Sequence, residues 1–533
     1  MTRRFRGRRG VALAATSSAA LLLAGTTALA AGPAGAAARS SSGSTGGATK
    51  IVYQVHPIAI ESSVGRPASA RPGQGLGTGL WPYTPGQCVV VFGLACYTPA
   101  VFHTAYQIPW TINGAWAGTG QSVAIIDAYG SPTVGSDLAT FDAEFGLPAA
   151  NLHVWYPLGK PTYNPRQHLG ETGWAEETSL DVQTVHDLAP GATINLVVAP
   201  TPAGNALNLA EQFAVQHHLG SAMTMSFGIP EAAFRGNNSQ MMQANAIYAQ
   251  AANEGISVFA SSGDSGATNG AATPNANFPA SDPNVTAAGG TDLFVGADAS
   301  FQSMNFASTV ASVPTLTKGQ LAALLAQYSS TDYTYANETA WADFNAKTCP
   351  FGCIYGPFGA TGGAPSAIFP APSWQKEFSS WQTAAAAAGD TKMMRTTSDV
   401  SFNASVYTAS MIYLGFLGKK SNFYFFGGTS EASPSWAAIT ADLDQAVSAA
   451  AGTQTTLGLM SPVLYGLASS PTTYAADFHD VTVGENNDPA SATGFSAGTG
   501  YDLPTGLGTP IVTGLLNSLA PGVSSSFMVP STP

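Results

Sequence analysis

The stretch "GGTSEASPSWAAI", Gly427 to Ile439, sets Ser430 between a Gly-Gly-Thr turn and an apolar run of helical character. A serine at a helix start serves as a cap, or as a nucleophile if a base takes its proton. The first place to look for a base is histidine. In a Ser-His-Asp arrangement Asp127 of "VAIIDAYG" would fill the strand-end position and His186 of "VQTVHDLAP" the middle one. His186, however, falls near the end of its helical stretch rather than the start, so the histidine triad fails at its middle member. The same stretch offers carboxylates instead. Glu177 and Asp181 in "ETSLD" are four residues apart, which puts both acids on one helix face, one turn from each other. They are embedded among Leu180, Val182, Val185 and Leu188, in a chain with little charge elsewhere. Paired acids in an apolar setting have their proton affinities pushed apart, and so divide acid and base roles. Asp264, between glycines in "SSGDSGA" after a β-rich run, is a further acid at the kind of strand end where α/β sheets bind ligands.

These residues need a scaffold, and the surrounding text supplies one. "QSVAIIDAYG", "ATINLVVAP", "SAMTMSFG" and "ISVFASSGDSG" read as strands. "GWAEETSLDVQTVHDLAP", "ALNLAEQFAVQHH" and "SQMMQANAIYAQAANEG" alternate with them as helices. That alternation predicts βαβ units and a mainly parallel, doubly wound sheet with helices on both faces. Further along, "WQKEFSSWQTAAAAAG" reads as a helix and "FYFFGG" as a strand. The helix opening at Ser430 lays Ile439, Leu443, Ala446 and Val447 on one face. Residues 300–360 break the alternation as a polar insertion, and "IVYQVHPIAIE" reads as one early strand.

Composition bounds the rest. Charged residues are 9% of the 533, against roughly 25% in an average soluble protein. Such a chain gains little self-repulsion in acid, and its net charge of −12 argues against a nucleic-acid partner. "MTRRFRGRRG", the short apolar stretch after it and "TALA" before Ala31 have the layout of a secretory signal, with cleavage after Ala30. No later stretch is long and apolar enough to span a bilayer, so the expectation is a secreted, soluble monomer. Four cysteines allow three pairings; the simplest is local, Cys88 with Cys96 and Cys349 with Cys353.

The ordered segments "GWAEETSLDVQTVHDLAPGA", "MSFGIPE", "SSGDSGA", "FPASDPNVTAAGGT", "NETAW", "GGAPSAIFPAPSWQ", "SDVS" and "GGTSEASPSWAAI" together resemble the sedolisin family, serine-carboxyl peptidases with a subtilisin-like fold. The resemblance implies an acid-acting endopeptidase on protein or peptide substrates. In it Ser430 is the nucleophile, Glu177 the general base, Asp181 its supporting acid and Asp264 the oxyanion-stabilising acid, and Asp127 has no triad role. It implies one Ca²⁺ as well. In "DVTVGENNDPASATGFSAGTGYDLPTGLG" the carboxylates of Asp480 and Asp502 and the carbonyls of Val481, Gly498 and Gly500 would supply five oxygens, with water completing the shell. The domain reading is a signal at 1–30, a spacer and short pro-like segment at 31–96, a peptidase domain at 97–520 and a tail at 521–533. Family members carry a long prosegment, and residues 51–96 would be a reduced version of it. Two rivals stand beside this reading. One is a subtilisin-like peptidase using Asp127, His186 and Ser430. The other is an inactive secreted binding protein of the same fold.

Overall fold

A computed structural model describes residues 51–53, 55, 58–61, 83–166, 170–297, 312–343, 359–487 and 493–529. The expected signal and spacer (1–50) and the Cys349/Cys353 pair lie outside the described residues, as does much of the 300–360 insertion.

In chain order, the elements that position the site are β1 (Ile58–Glu61), α1 (Pro85–Phe92), β2 (Ala95–Tyr97), β3 (Ser122–Ala128), β4 (Asn151–Trp155), α2 (Glu171–Leu188), β5 (Thr193–Ala199), α3 (Gly204–Gln216), β6 (Ala222–Met225), α4 (Ser239–Asn253), β7 (Ser257–Ser261), β8 (Thr286–Val295), β9 (Tyr335–Ala340), β10 (Val400–Asn403), β11 (Thr408–Leu414), β12 (Asn422–Gly427) and α5 (Thr429–Ala451). The main sheet runs β9-β8-β7-β6-β3-β5-β4, with β10 also paired to β8. All its ladders are parallel except β8/β9. This is the expected α/β fold of subtilisin-like type.

The strands are apolar at nearly every position because both sheet faces are covered. In β3, Val123 and Ile125 enter one core with Val182 and Val185 of α2 and Ile439 and Leu443 of α5. Their neighbours Ala124, Ile126 and Ala128 enter the other core, with Leu207 of α3 and Tyr248 of α4. The period of two along each strand thus divides the side chains between two layers. Each fully buried Val or Ile contributes about 1.5–3 kcal/mol.

Three local expectations change. The predicted helix at "WQKEFSSWQTAAAAAG" is two, Ser373–Lys376 and Ser379–Ala387. The single early strand is only β1, while Tyr53 N–H bonds the Pro202 carbonyl elsewhere. Within the insertion, β9 joins the main sheet as its antiparallel edge. The Cys88–Cys96 disulfide is present, closing α1 onto β2. Residues of α1 and β2, placed by sequence before the peptidase domain, are buried in its larger core. Strand β2 belongs to a second sheet, β1-β12-β11-β2, whose strand β12 runs directly into the Gly427–Ser430 turn.

Candidate active site

Helix α2 packs against α5 and the end of β3, and this places the acids. Glu177 and Asp181 share one face, about 6 Å apart along the axis, and both are completely buried. The Glu177 carboxyl faces the Ser430 hydroxyl and has no other side-chain hydrogen-bond partner among the described residues. Burial pushes its carboxyl well above the ordinary range; the Ser430 hydroxyl beside it acts in the opposite sense, and the charges of Asp127, Asp264 and Glu176 add to the rise. Asp181 accepts from Ser226 Oγ at 2.8 Å. It too is pushed up, first by burial, then by the charges of Asp127 and Glu177.

Asp127, which has no triad role in the sequence reading, lies within electrostatic reach of both acids. It lies at the end of β3, completely buried; burial raises it to about 7, and a hydrogen bond from the Thr178 hydroxyl acts in the opposite sense. Its position in a continuous apolar strand was the available signal; only the packing of α2 on β3 shows that the acid faces the Glu177–Asp181 pair.

The histidine rival does not assemble. His186 is nine residues beyond Glu177, about 13 Å along the helix. Its Nε2 is 2.9 Å from the Pro148 carbonyl and 3.3 Å from Asp142 Oδ1, a different environment from that of Ser430.

Ser430 is the second residue of α5 and is 5% exposed. The residue before the helix, Gly428, has φ of +111°, a conformation L side chains rarely adopt. A Cβ there would stand 2.9 Å from Asp264 Oδ2. Asp264 reaches this turn from the loop after β7. Its Oδ1 accepts from Thr429 N–H at 2.8 Å and Thr429 Oγ1 at 2.7 Å, so Oδ2 faces Gly428. The Thr429 hydroxyl in turn accepts from Gly263 N–H at 3.1 Å. The arrangement joins a serine at a helix N-terminus, an acid able to take its proton and a second carboxyl held at the same turn. It has the parts for acyl transfer through a covalent intermediate.

Among the described residues, no group of three or more His, Cys, Asp or Glu gathers as a metal site. The Asp480–Asp502 loop offers two carboxylates. Gly500 N–H lies 3.0 Å from both Asp480 oxygens, and Gly498 N–H 2.8 Å from Asp502 Oδ2. Burial raises Asp502 to about 7, and the Asp480 charge adds to the rise. The carbonyls of Val481, Gly498 and Gly500 receive no hydrogen bond among the described residues, whereas those of Val483 and Gly484 do. An oxygen-rich loop with like charges and open carbonyls fits a hard cation.

Among the described residues no helix is long and apolar enough to cross a membrane. No family model matches the chain. It is 32% identical over 439 residues to kumamolisin of Bacillus sp. (strain MN-32), a match spanning 81% of this chain and 65% of that protein. It is 27% identical to sedolisin of Pseudomonas sp. (strain 101), over 78% of this chain and 59% of that one. The chain thus spans less than two thirds of the length of these curated relatives. A solved structure of Pseudomonas sedolisin, a serine-carboxyl proteinase complexed with two molecules of pseudo-iodotyrostatin, superposes with a TM-score of 0.60 at 26% identity. That match covers 80% of this chain and 98% of that one.

Proposed function

We propose that the chain, which is similar to kumamolisin and sedolisin over about four fifths of its length, is a secreted, acid-acting serine-carboxyl endopeptidase of the sedolisin family. The observation that carries the reading is the convergence of Glu177, Asp181 and Asp264 on the helix start that bears Ser430.

In the proposed reaction Ser430 Oγ attacks the scissile carbonyl while Glu177 takes the hydroxyl proton. The oxyanion accepts from the Ser430 N–H, at the positive end of α5, and from a protonated Asp264. Glu177 then gives its proton to the leaving amine, the C–N bond breaks and an acyl-serine remains. Water, deprotonated by Glu177, hydrolyses the ester and returns the proton to Ser430. Four carboxyls lie within electrostatic reach of one another, so the working state is the one short of a single proton, with the charge on Glu177. A second ionisation would put like charges together in a buried site. This sets a bell-shaped profile whose working range is acidic, since Asp264 must keep its proton in order to donate.

Asp480 and Asp502, with the carbonyls of Val481, Gly498 and Gly500, would hold one Ca²⁺, whose chemistry would be structural: it neutralises the loop's two carboxylates. The signal-like N-terminus supports export. The test is digestion of an acid-denatured protein across pH, with product termini read by mass spectrometry. Internal cleavages that vanish in Ser430→Ala and in Glu177→Gln are expected; activity retained by Ser430→Ala would overturn the assignment.

A further inference from the structure

Pro434 lies inside α5, four residues after Ser430. An uninterrupted helix would give the Ser430 carbonyl a hydrogen bond from the N–H at position 434, and proline has none to give. An unpaired backbone carbonyl in a buried site is costly. Here the missing donor is replaced from another element: Ser226, just past the end of β6, places its Oγ 3.1 Å from the Ser430 carbonyl. The same Oγ is 2.8 Å from Asp181 Oδ1, and the Ser226 carbonyl is 3.4 Å from Ser430 Oγ. Ser226 therefore meets the nucleophile at both its hydroxyl and its carbonyl, and meets the supporting acid as well.

A serine hydroxyl carries one proton. It cannot be donated to Asp181 and to the Ser430 carbonyl together. Both contacts become hydrogen bonds when Asp181 is protonated: Asp181 donates to Ser226 Oγ, which donates to the Ser430 carbonyl. When Asp181 ionises, its carboxylate is the stronger acceptor and draws the Ser226 proton. The Ser430 carbonyl then loses the donor that stands in for the proline's absent N–H.

We propose that Ser226 is a positioning residue that ties the protonation of Asp181 to the seating of the Ser430 turn, and that Pro434 creates this dependence. The proposal rests on the peptidase reading above. The titratable groups acting on Asp181 are Asp127, from the end of β3, and Glu177, on its own helix. Glu177 in turn is acted on by Asp264 and Glu176. All are acids, so nothing in this set favours early ionisation of Asp181.

A mutant cycle with Ser226→Ala, Pro434→Ala and the double variant tests it, each checked for folding by circular dichroism and thermal melting. Ser226→Ala should lose about tenfold in kcat with KM held within about twofold. In the Pro434→Ala background the residue at 434 regains its N–H, so the same Ser226→Ala change should cost about twofold or less. The alkaline limb of kcat should also move up in Ser226→Ala, since Asp181 loses the donor that stabilises its anion. Ser226→Thr, which keeps the hydroxyl, should recover most of the loss and serves if the Pro434 variants do not fold. Equal losses in both backgrounds, or no recovery with Thr where those variants fail, would overturn the proposal. Ser430→Ala separates the two readings: if it stays active the peptidase assignment fails, whereas an inactive Ser430→Ala beside an additive cycle sinks only the role of Ser226.

Discussion

Asp127, at the end of β3, and Asp181, on α2, are two fully buried carboxyls close enough that the charge of the first holds protons on the second. Asp127 acts on Glu177 in the same sense. Whichever of the three ionises first raises the others, so they titrate as a unit.

With the first charge on Glu177, Asp127 still holds its proton, and its later ionisation would put a second like charge into the buried site. Replacing Asp127 by Asn removes that ionisation, so the acid limb of kcat/KM should stay in place while the alkaline limb moves up, by about half a unit or more given the usual strength of such pairs. Profiles of the wild type and Asp127→Asn on one peptide substrate check this; superimposable alkaline limbs would show that the Asp127 charge does not act on the site.

Gly428 is held at a positive φ with the Asp264 carboxyl against it. Gly428→Ala meets both a strained backbone, which costs about 1–3 kcal/mol, and a contact that pushes Asp264 away from the turn. Activity should fall by about a hundredfold or more, the scale on which a lost oxyanion donor is felt. Thermal unfolding should drop only modestly. Activity near the wild-type level would mean that Asp264 does not work at this turn.

Much of this was legible because chemistry-bearing residues stood out against a chain with 9% charge. Glu177 and Asp181 were visible by their four-residue spacing and their apolar neighbours, and the sheet by its alternating segments. An acid closing an apolar strand, such as Asp127, reads alike whether it faces solvent or a buried pair; the packing of α2 decides that. Ser226 carried no signal at all. A serine in "MSFG" becomes informative only when Pro434, far away in sequence, leaves the Ser430 carbonyl beside it without a helical donor. The core placement of α1 escaped for another reason. Gly- and Pro-rich text precedes "CVVVFGLAC", so the sequence sets residues 51–96 apart as a reduced pro-like segment, and only the packing shows its last helix and strand inside the larger core.

If the Asp480–Asp502 loop holds Ca²⁺, chelation should lower the melting temperature, and added Ca²⁺ should restore it. Binding at a tenfold or hundredfold excess over Kd stabilises by about 1.4–2.7 kcal/mol. Asp502→Asn should abolish the response to chelator while leaving a folded protein. Calorimetry with and without chelator decides; identical melting curves would remove the metal from this loop.

Stability should fall as pH rises from acid to neutral. Burial raises Glu211 to about 8 and Glu338, Asp343 and Asp444 to about 7. In the unfolded chain such groups titrate near 4. Below that pH both states hold the protons and there is no penalty. Between about 4 and about 8 the unfolded chain releases protons that the folded one keeps, so unfolding becomes progressively easier, and above that window the loss is complete. Glu211→Gln removes one of the largest contributors and should raise stability by up to a few kcal/mol at pH 7 relative to its effect at pH 4. Urea midpoints at pH 4, 5.5 and 7 for the wild type and Glu211→Gln measure it; a wild type more stable at pH 7 than at pH 4 would reverse the argument.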